Sequence, residues 1–140
     1  MTVLPLLTST PAFYSTRPAG VSTDGWPPVN PASIYAFSYQ LTKRYGAKGT
    51  YWGCLLPGMF CQRTYRPITA WEVWNEPDTT AWWRTGPDPA AYLPLLRTAY
   101  QGLKAGDPAA EVVPDGPPLR APPARGSLVP RYAVASSPPS

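Results

Sequence analysis

Residues 68–78 read Ile-Thr-Ala-Trp-Glu-Val-Trp-Asn-Glu-Pro-Asp, a β-branched and aromatic run that ends abruptly in Asn75, Glu76 and Pro77. Such a run predicts a strand over residues 68–76. Its end places a carboxylic acid and a side-chain amide at the carboxyl end of a buried strand, which is the edge where parallel α/β folds build their active sites. The stretch therefore predicts an α/β fold with a functional site at that edge.

Alternation along this strand gives each side chain an expected direction. One side of an ideal strand carries Ala70, Glu72, Trp74 and Glu76, and the other carries Trp71, Val73 and Asn75. Asn75 and Glu76 can serve one pocket only if the backbone twists or bulges at the strand end, and Pro77 is the candidate cause. Glu72 lies deeper and is expected to be a paired interior carboxylate, because an unpaired buried charge is costly. Glu76 is the better catalytic candidate.

The flanking segments predict the rest of a β-α-β-α-β order. Residues 3–7 predict a first strand, and a helix is predicted to start with Asn30 as N-cap and Pro31 as its first residue. Its apolar residues recur at helical spacing until Gly46: Ile34, Phe37, Leu41 and Tyr45.

Asp88 and Pro89 repeat the cap-then-proline pattern and predict a second helix that ends near Gly106. The expected buried stripe of this helix consists of Tyr92, Leu95, Leu96, Ala99, Tyr100 and Leu103. Residues 111–115 predict a third strand.

The sequence Trp-Asn-Glu-Pro, residues 74–77, at the end of the predicted 68–76 strand resembles the acid/base strand of the clan A glycoside hydrolases. Those enzymes are (β/α)8 barrels with two catalytic glutamates, on strands four and seven. Tyr45-Gly46 at a helix end, residues 67–74 entering the strand and residues 88–92 opening the next helix are similar to bacterial members near families 5 and 39. The resemblance covers residues 1–116 and implies a partial TIM (β/α)8 barrel spanning about strands 3 to 5.

By this resemblance Glu76 is the general acid/base and Asn75 binds the sugar hydroxyl beside the reacting carbon. A glycosidic oxygen leaves only when it is protonated, so a carboxyl group must donate a proton and later accept one from water. The alternative is that Glu76 is a solvated carboxylate that caps the following helix.

A retaining mechanism also needs a nucleophilic carboxylate about 5 to 5.5 Å from the first. The family takes that group from strand seven, and none of the chain's other acids lies in a similar context: Asp24, Asp78, Asp88, Asp107, Glu111 and Asp115. The chain is therefore expected to carry half of a catalytic pair and to be inactive alone. A carbohydrate-binding remnant and a truncated gene product without settled function are the alternatives.

Six tryptophans and nine tyrosines favour carbohydrate as the partner, because indole rings stack on the C–H faces of sugars. Trp26 lies in the loop after the first strand, and Trp82 and Trp83 lie in the loop after Glu76. These three are the candidate sugar platforms, with packing beneath a loop as the alternative for each. Trp74 is expected to form a pocket wall.

Composition limits the other functions. The net charge is +4, and three arginines in residues 117–140, a segment without acids, account for +3 of it. The rest is nearly neutral, so no nucleic-acid partner is predicted. The absence of histidine excludes a Ser-His-Asp triad, and neither a metal nor another cofactor is expected. No stretch approaches the roughly 18 apolar residues of a membrane span.

Further expectations concern the chain as a whole. Residues 117–140 hold seven prolines and predict a disordered tail. A three-stranded part of a barrel has two unpaired edges, which predicts self-association. Cys54 and Cys61 are expected on the face away from the site, with a disulfide left open. No signal peptide is recognised, and the family resemblance alone suggests an extracellular location.

Overall fold

A computed structural model describes residues 3–22, 24–53 and 64–115. The fold is mixed α/β, with two helices and a three-stranded parallel sheet. The elements in chain order are β1 (Leu6–Leu7), α1 (Ser33–Tyr45), β2 (Ala70–Val73), α2 (Pro89–Gly106) and β3 (Glu111–Pro114). Cys54, Cys61 and residues 117–140 lie outside the described residues, so the predictions made for them stay predictions.

Strand β2 lies in the centre of the sheet, between β1 and β3. Leu7 pairs with Val73 on one side, and Val73 pairs with Pro114 on the other. Both β1 and β2 are shorter than predicted. In β1 the ladder begins late because Pro5 has no N–H to donate, although its carbonyl accepts from Glu72 N at 3.0 Å.

Helix α1 begins two residues later than the sequence indicates. Asn30 Oδ1 accepts a hydrogen bond from Ala32 N at 2.9 Å, so Asn30 stabilises a turn before the helix. The residue at the N-cap is Ala32, whose side chain makes no cap hydrogen bond. The prediction that Pro31 is the first helical residue is therefore wrong.

The predicted stripe is confirmed except at Phe37, because Ile34, Leu41 and Tyr45 are half-buried and pack against the core from helix α1. Ser38 and Thr42 are its buried residues, whereas Phe37 is 56% exposed. The reason is a close approach to α2, since a Cβ on Gly102 would lie 2.5 Å from the Tyr35 carbonyl oxygen. Only small side chains fit at this contact, which is why Ser38 and Thr42 are fully buried there.

Helix α2 confirms the sequence prediction. Asp88 is its N-cap, and Asp88 Oδ1 accepts hydrogen bonds from Ala90 N at 2.9 Å and Ala91 N at 3.1 Å. The predicted apolar residues are buried except for Tyr100, which is half-buried. Neither helix within the described ranges has the length and apolar character that a membrane crossing requires.

The core lies between the sheet and the helices. Trp71 and Val73 point from β2 into this core and are 1% and 0% exposed, while Ala70 and Glu72 on the other side of the strand are half-buried. Alternation along β2 is therefore confirmed as far as Val73. The sheet presents its Glu72 side away from the helices.

Candidate functional site

The chain leaves the sheet immediately after β2. Trp74 and Glu76 have φ angles of 70° and 38°, in the left-handed region that residues other than glycine rarely adopt. The expected distortion at the strand end is therefore present. It begins at Trp74, three residues before Pro77. Left-handed residues of this kind concentrate at functional sites.

Glu76 is exposed in the turn that follows β2, at the carboxyl end of the sheet. Its carbonyl oxygen accepts from Thr79 N at 3.0 Å and from Thr79 Oγ1 at 3.1 Å. No described residue forms a hydrogen bond with its carboxylate, which leaves that group available to a ligand. The alternative that Glu76 caps the next helix is wrong, because Asp88 occupies that position, whereas the other part of that alternative, a solvated carboxylate, agrees with the exposure of Glu76. The neighbouring Asn75 is half-buried.

Asp115 reaches this turn from the next strand. Its carboxylate oxygen Oδ2 accepts a hydrogen bond from Glu76 N at 2.5 Å, although 39 residues separate the two in sequence. Asp115 does not lie in a context that resembles the family's nucleophile strand, so sequence reasoning assigned it no role. The signal that could have found Asp115 is its position directly after the third strand, at the same edge of the sheet as Glu76.

Glu72 is the residue before Val73, the last residue of β2, and the pKa of its carboxyl group is shifted. Burial raises the pKa of Glu72, and the negative charge of Asp115 raises it further. The expectation of a paired interior carboxylate is therefore wrong, since the charge that acts on Glu72 has the same sign.

Two of the predicted aromatic residues belong to the core. Trp74 is 2% exposed, and its Nε1 donates to the Trp82 carbonyl oxygen at 2.7 Å. Trp83 is 1% exposed and makes edge contacts with Trp74 and Tyr92, at ring-centroid distances of 5.3 and 5.9 Å. The burial of Trp83 favours the alternative, packing beneath a loop, over a sugar platform.

Trp26 and Trp82 remain available as aromatic ligand contacts. Both are half-buried, and they lie in the loops that follow β1 and β2. Gly25, with φ of 74°, brings these loops together: a Cβ there would lie 2.6 Å from the Ala81 carbonyl oxygen and 2.9 Å from Trp82 Cα. Arg84 N also donates to the Gly25 carbonyl oxygen at 2.9 Å. Gly25 is a second residue that sequence reasoning missed.

Two cavities border the loops that follow β1 and β2. A largely apolar cavity of about 290 Å³ is bounded by the end of β1 and the start of α1, with Phe13, Phe37 and Trp74 in its wall. A second cavity, of about 250 Å³, includes Pro27 and Trp83. Neither of these two cavities is lined by Asn75, Glu76, Trp26 or Trp82.

The described ranges contain no group of three or more histidine, cysteine or acidic side chains that could hold a metal ion. Comparison of the chain with protein-family models and with curated proteins finds no match. The arrangement offers one exposed carboxylate, an adjacent amide and two indole rings on adjoining loops.

Proposed function

We propose that the chain carries the acid/base half of a retaining glycoside hydrolase site and binds a β-linked oligo- or polysaccharide. The observation that carries this proposal is the position of Glu76, exposed immediately after the central strand of a parallel sheet. That edge is where parallel α/β enzymes hold their reacting groups. Glu76 is the proposed catalytic residue.

The sheet order supports the proposed origin in a TIM (β/α)8 barrel. The strands follow each other as β1-β2-β3, all parallel, with α1 and α2 as the two connections. Consecutive strands of a barrel are neighbours in the same way, each followed by a helix on the outside. In this proposal the three strands correspond to about strands 3 to 5, and the Glu72 side of the sheet corresponds to the barrel interior.

The proposed chemistry assigns a separate task to each group. Glu76 protonates the glycosidic oxygen as the bond breaks and then takes a proton from the attacking water. Asn75 holds the neighbouring sugar hydroxyl, in a hydrogen bond that strengthens in the transition state. Trp26 and Trp82 contact the C–H faces of the sugar rings. Trp74 supports the site by donating a hydrogen bond from its Nε1 to the Trp82 carbonyl oxygen, which holds the backbone of Trp82 in place.

Hydrolysis by this mechanism needs a second carboxylate, about 5 to 5.5 Å from the first. We therefore expect the chain alone to bind oligosaccharide without turning it over. An assay with aryl β-glycosides should show no release of the aryl group above background. Turnover that disappears in Glu76→Gln would contradict the proposal that the chain carries only the acid/base half of the site. A nucleophile would then have to come from another acid or from a second chain.

Binding can be tested by tryptophan fluorescence with β-1,4-linked glucose and xylose oligosaccharides. Replacing Trp82 with alanine should weaken binding about tenfold, as expected for the loss of one ring contact. Trp52→Phe is the matched control. Trp52 is also half-buried, but it lies in the connection after α1, where its Nε1 donates to the Tyr45 carbonyl oxygen at 3.0 Å. Equal affinity losses in the two variants, or no response from the unmodified chain, would refute the site.

A further inference from the structure

The backbone N–H of Glu76 lies beyond the last paired residues of the sheet. The β2–β3 pairing ends with Val73 opposite Pro114, and Asp115 is the next residue of the β3 chain. In a continued ladder a main-chain carbonyl would accept the hydrogen bond. Here the carboxylate of Asp115 accepts it instead, at 2.5 Å.

This hydrogen bond forms one side of a clamp on Glu76. On the other side, Thr79 donates both its N–H and its hydroxyl to the Glu76 carbonyl oxygen. Between the two sides Glu76 has a φ of 38°, a conformation that persists only when neighbouring groups hold it. A hydrogen bond to an ionised acceptor is about twice as strong as one between neutral groups. The single hydrogen bond to Asp115 is therefore comparable in strength with the two neutral hydrogen bonds from Thr79.

We propose that Asp115 is a positioning residue, which holds Glu76 in its left-handed turn so that the Glu76 carboxyl stays exposed at the carboxyl end of the sheet. The role assigned to the Glu76 carboxyl rests on the proposed function, whereas the clamp rests only on backbone geometry. Asp115 contacts the main chain of Glu76, so its effect on a bound sugar passes through the conformation of Glu76.

The clamp is tested by the amide of Glu76 in ¹H–¹⁵N NMR spectra. In Asp115→Ala the Glu76 amide proton should move upfield and exchange with solvent about tenfold faster, because its acceptor is removed. Asp115→Asn keeps a carbonyl acceptor and should give a smaller change in both. If Asp115→Ala does not fold, the upfield shift in Asp115→Asn decides the question.

Asp107→Asn is the matched control. The Asp107 carboxylate also accepts backbone N–H groups, from Ala47 and Ala109 at 3.0 Å each, but it does so after α2. This variant should leave the Glu76 amide unchanged. A Glu76 amide that is unaffected in both Asp115 variants, or that changes as much in Asp107→Asn, would overturn the proposal.

Oligosaccharide binding by the same variants separates this proposal from the proposed function. Affinity for a β-1,4-linked glucose oligosaccharide should fall in Asp115→Ala and recover in Asp115→Asn. Faster solvent exchange of the Glu76 amide in Asp115→Ala, together with unchanged affinity for the oligosaccharide, would overturn the positioning role. If the unmodified chain binds no oligosaccharide, the proposed function fails, and the Glu76 amide still decides whether the clamp exists.

Discussion

Replacing Gly25 with alanine should loosen the contact between the two loops that carry Trp26 and Trp82. The new methyl group would lie 2.6 Å from the Ala81 carbonyl oxygen, a backbone atom that cannot move without moving its loop. Such overpacking costs about 1 to 3 kcal/mol. Alanine at a φ of 74° costs about 1 kcal/mol more, partly offset by the smaller entropy of the unfolded chain.

Gly20→Ala is the matched control for this prediction. Gly20 lies in the same loop with a φ of 79°, but no atom lies within 4 Å of the position that an added methyl group would take. Urea unfolding followed by circular dichroism should show a loss of about 2 to 3 kcal/mol for Gly25→Ala and under about 1 kcal/mol for Gly20→Ala. Equal losses in the two variants would refute the loop contact.

Three further predictions concern stability and association. The raised pKa of Glu72 means that the folded state binds its proton more tightly, so this stabilising contribution is complete below the ordinary pKa and is lost as the pH rises through the raised one. Glu72→Gln should therefore flatten the pH dependence of the urea midpoint above the ordinary pKa of a glutamate carboxyl group and raise stability at neutral pH; an unchanged pH dependence would refute this. Asp88→Ala removes the acceptor at the start of α2 and should cost about 1 kcal/mol, whereas no change in the urea midpoint would show that the cap contributes nothing. Light scattering should show concentration-dependent association, because Val3, Leu4 and Leu6 are exposed beside the outer edge of β1, and a monomer at all concentrations would contradict it.

Helix α2 could be predicted from the sequence because its signals are local. Asp88 and Pro89 mark its start, and the apolar residues recur along one face until Gly106. The full burial of Ser38 and Thr42 in α1 could not be predicted in the same way. Its buried residues are small and polar because Gly102 and Gly106 of α2 approach it closely, and that contact is set by residues far away in the sequence.

The end of β2 and the neighbouring tryptophans show a second limit. A glycine in this segment would have predicted a left-handed turn. Trp74 and Glu76 adopt left-handed φ angles although neither is glycine, and hydrogen bonds to Trp82 and Asp115 hold them there. Trp82 and Trp83 are adjacent and have the same side chain, yet only Trp83 packs against Tyr92 and is buried in the core. Alternation and loop position could place Glu76 at the sheet edge, but they could not separate these two rings.

The most direct test of Glu76 as the sugar-facing acid is an NMR map of the chain titrated with a β-1,4-linked glucose oligosaccharide. The spectrum contains an indole signal for each of the six tryptophans and an amide signal for Glu76, so each proposed contact has its own probe. We predict that the Glu76 and Asn75 amides and the Trp26 and Trp82 indoles shift together with one dissociation constant, while Trp52 stays unchanged. Shifts confined to the apolar cavity beside Phe13 and Phe37, with Glu76 unmoved, would contradict the assignment of Glu76.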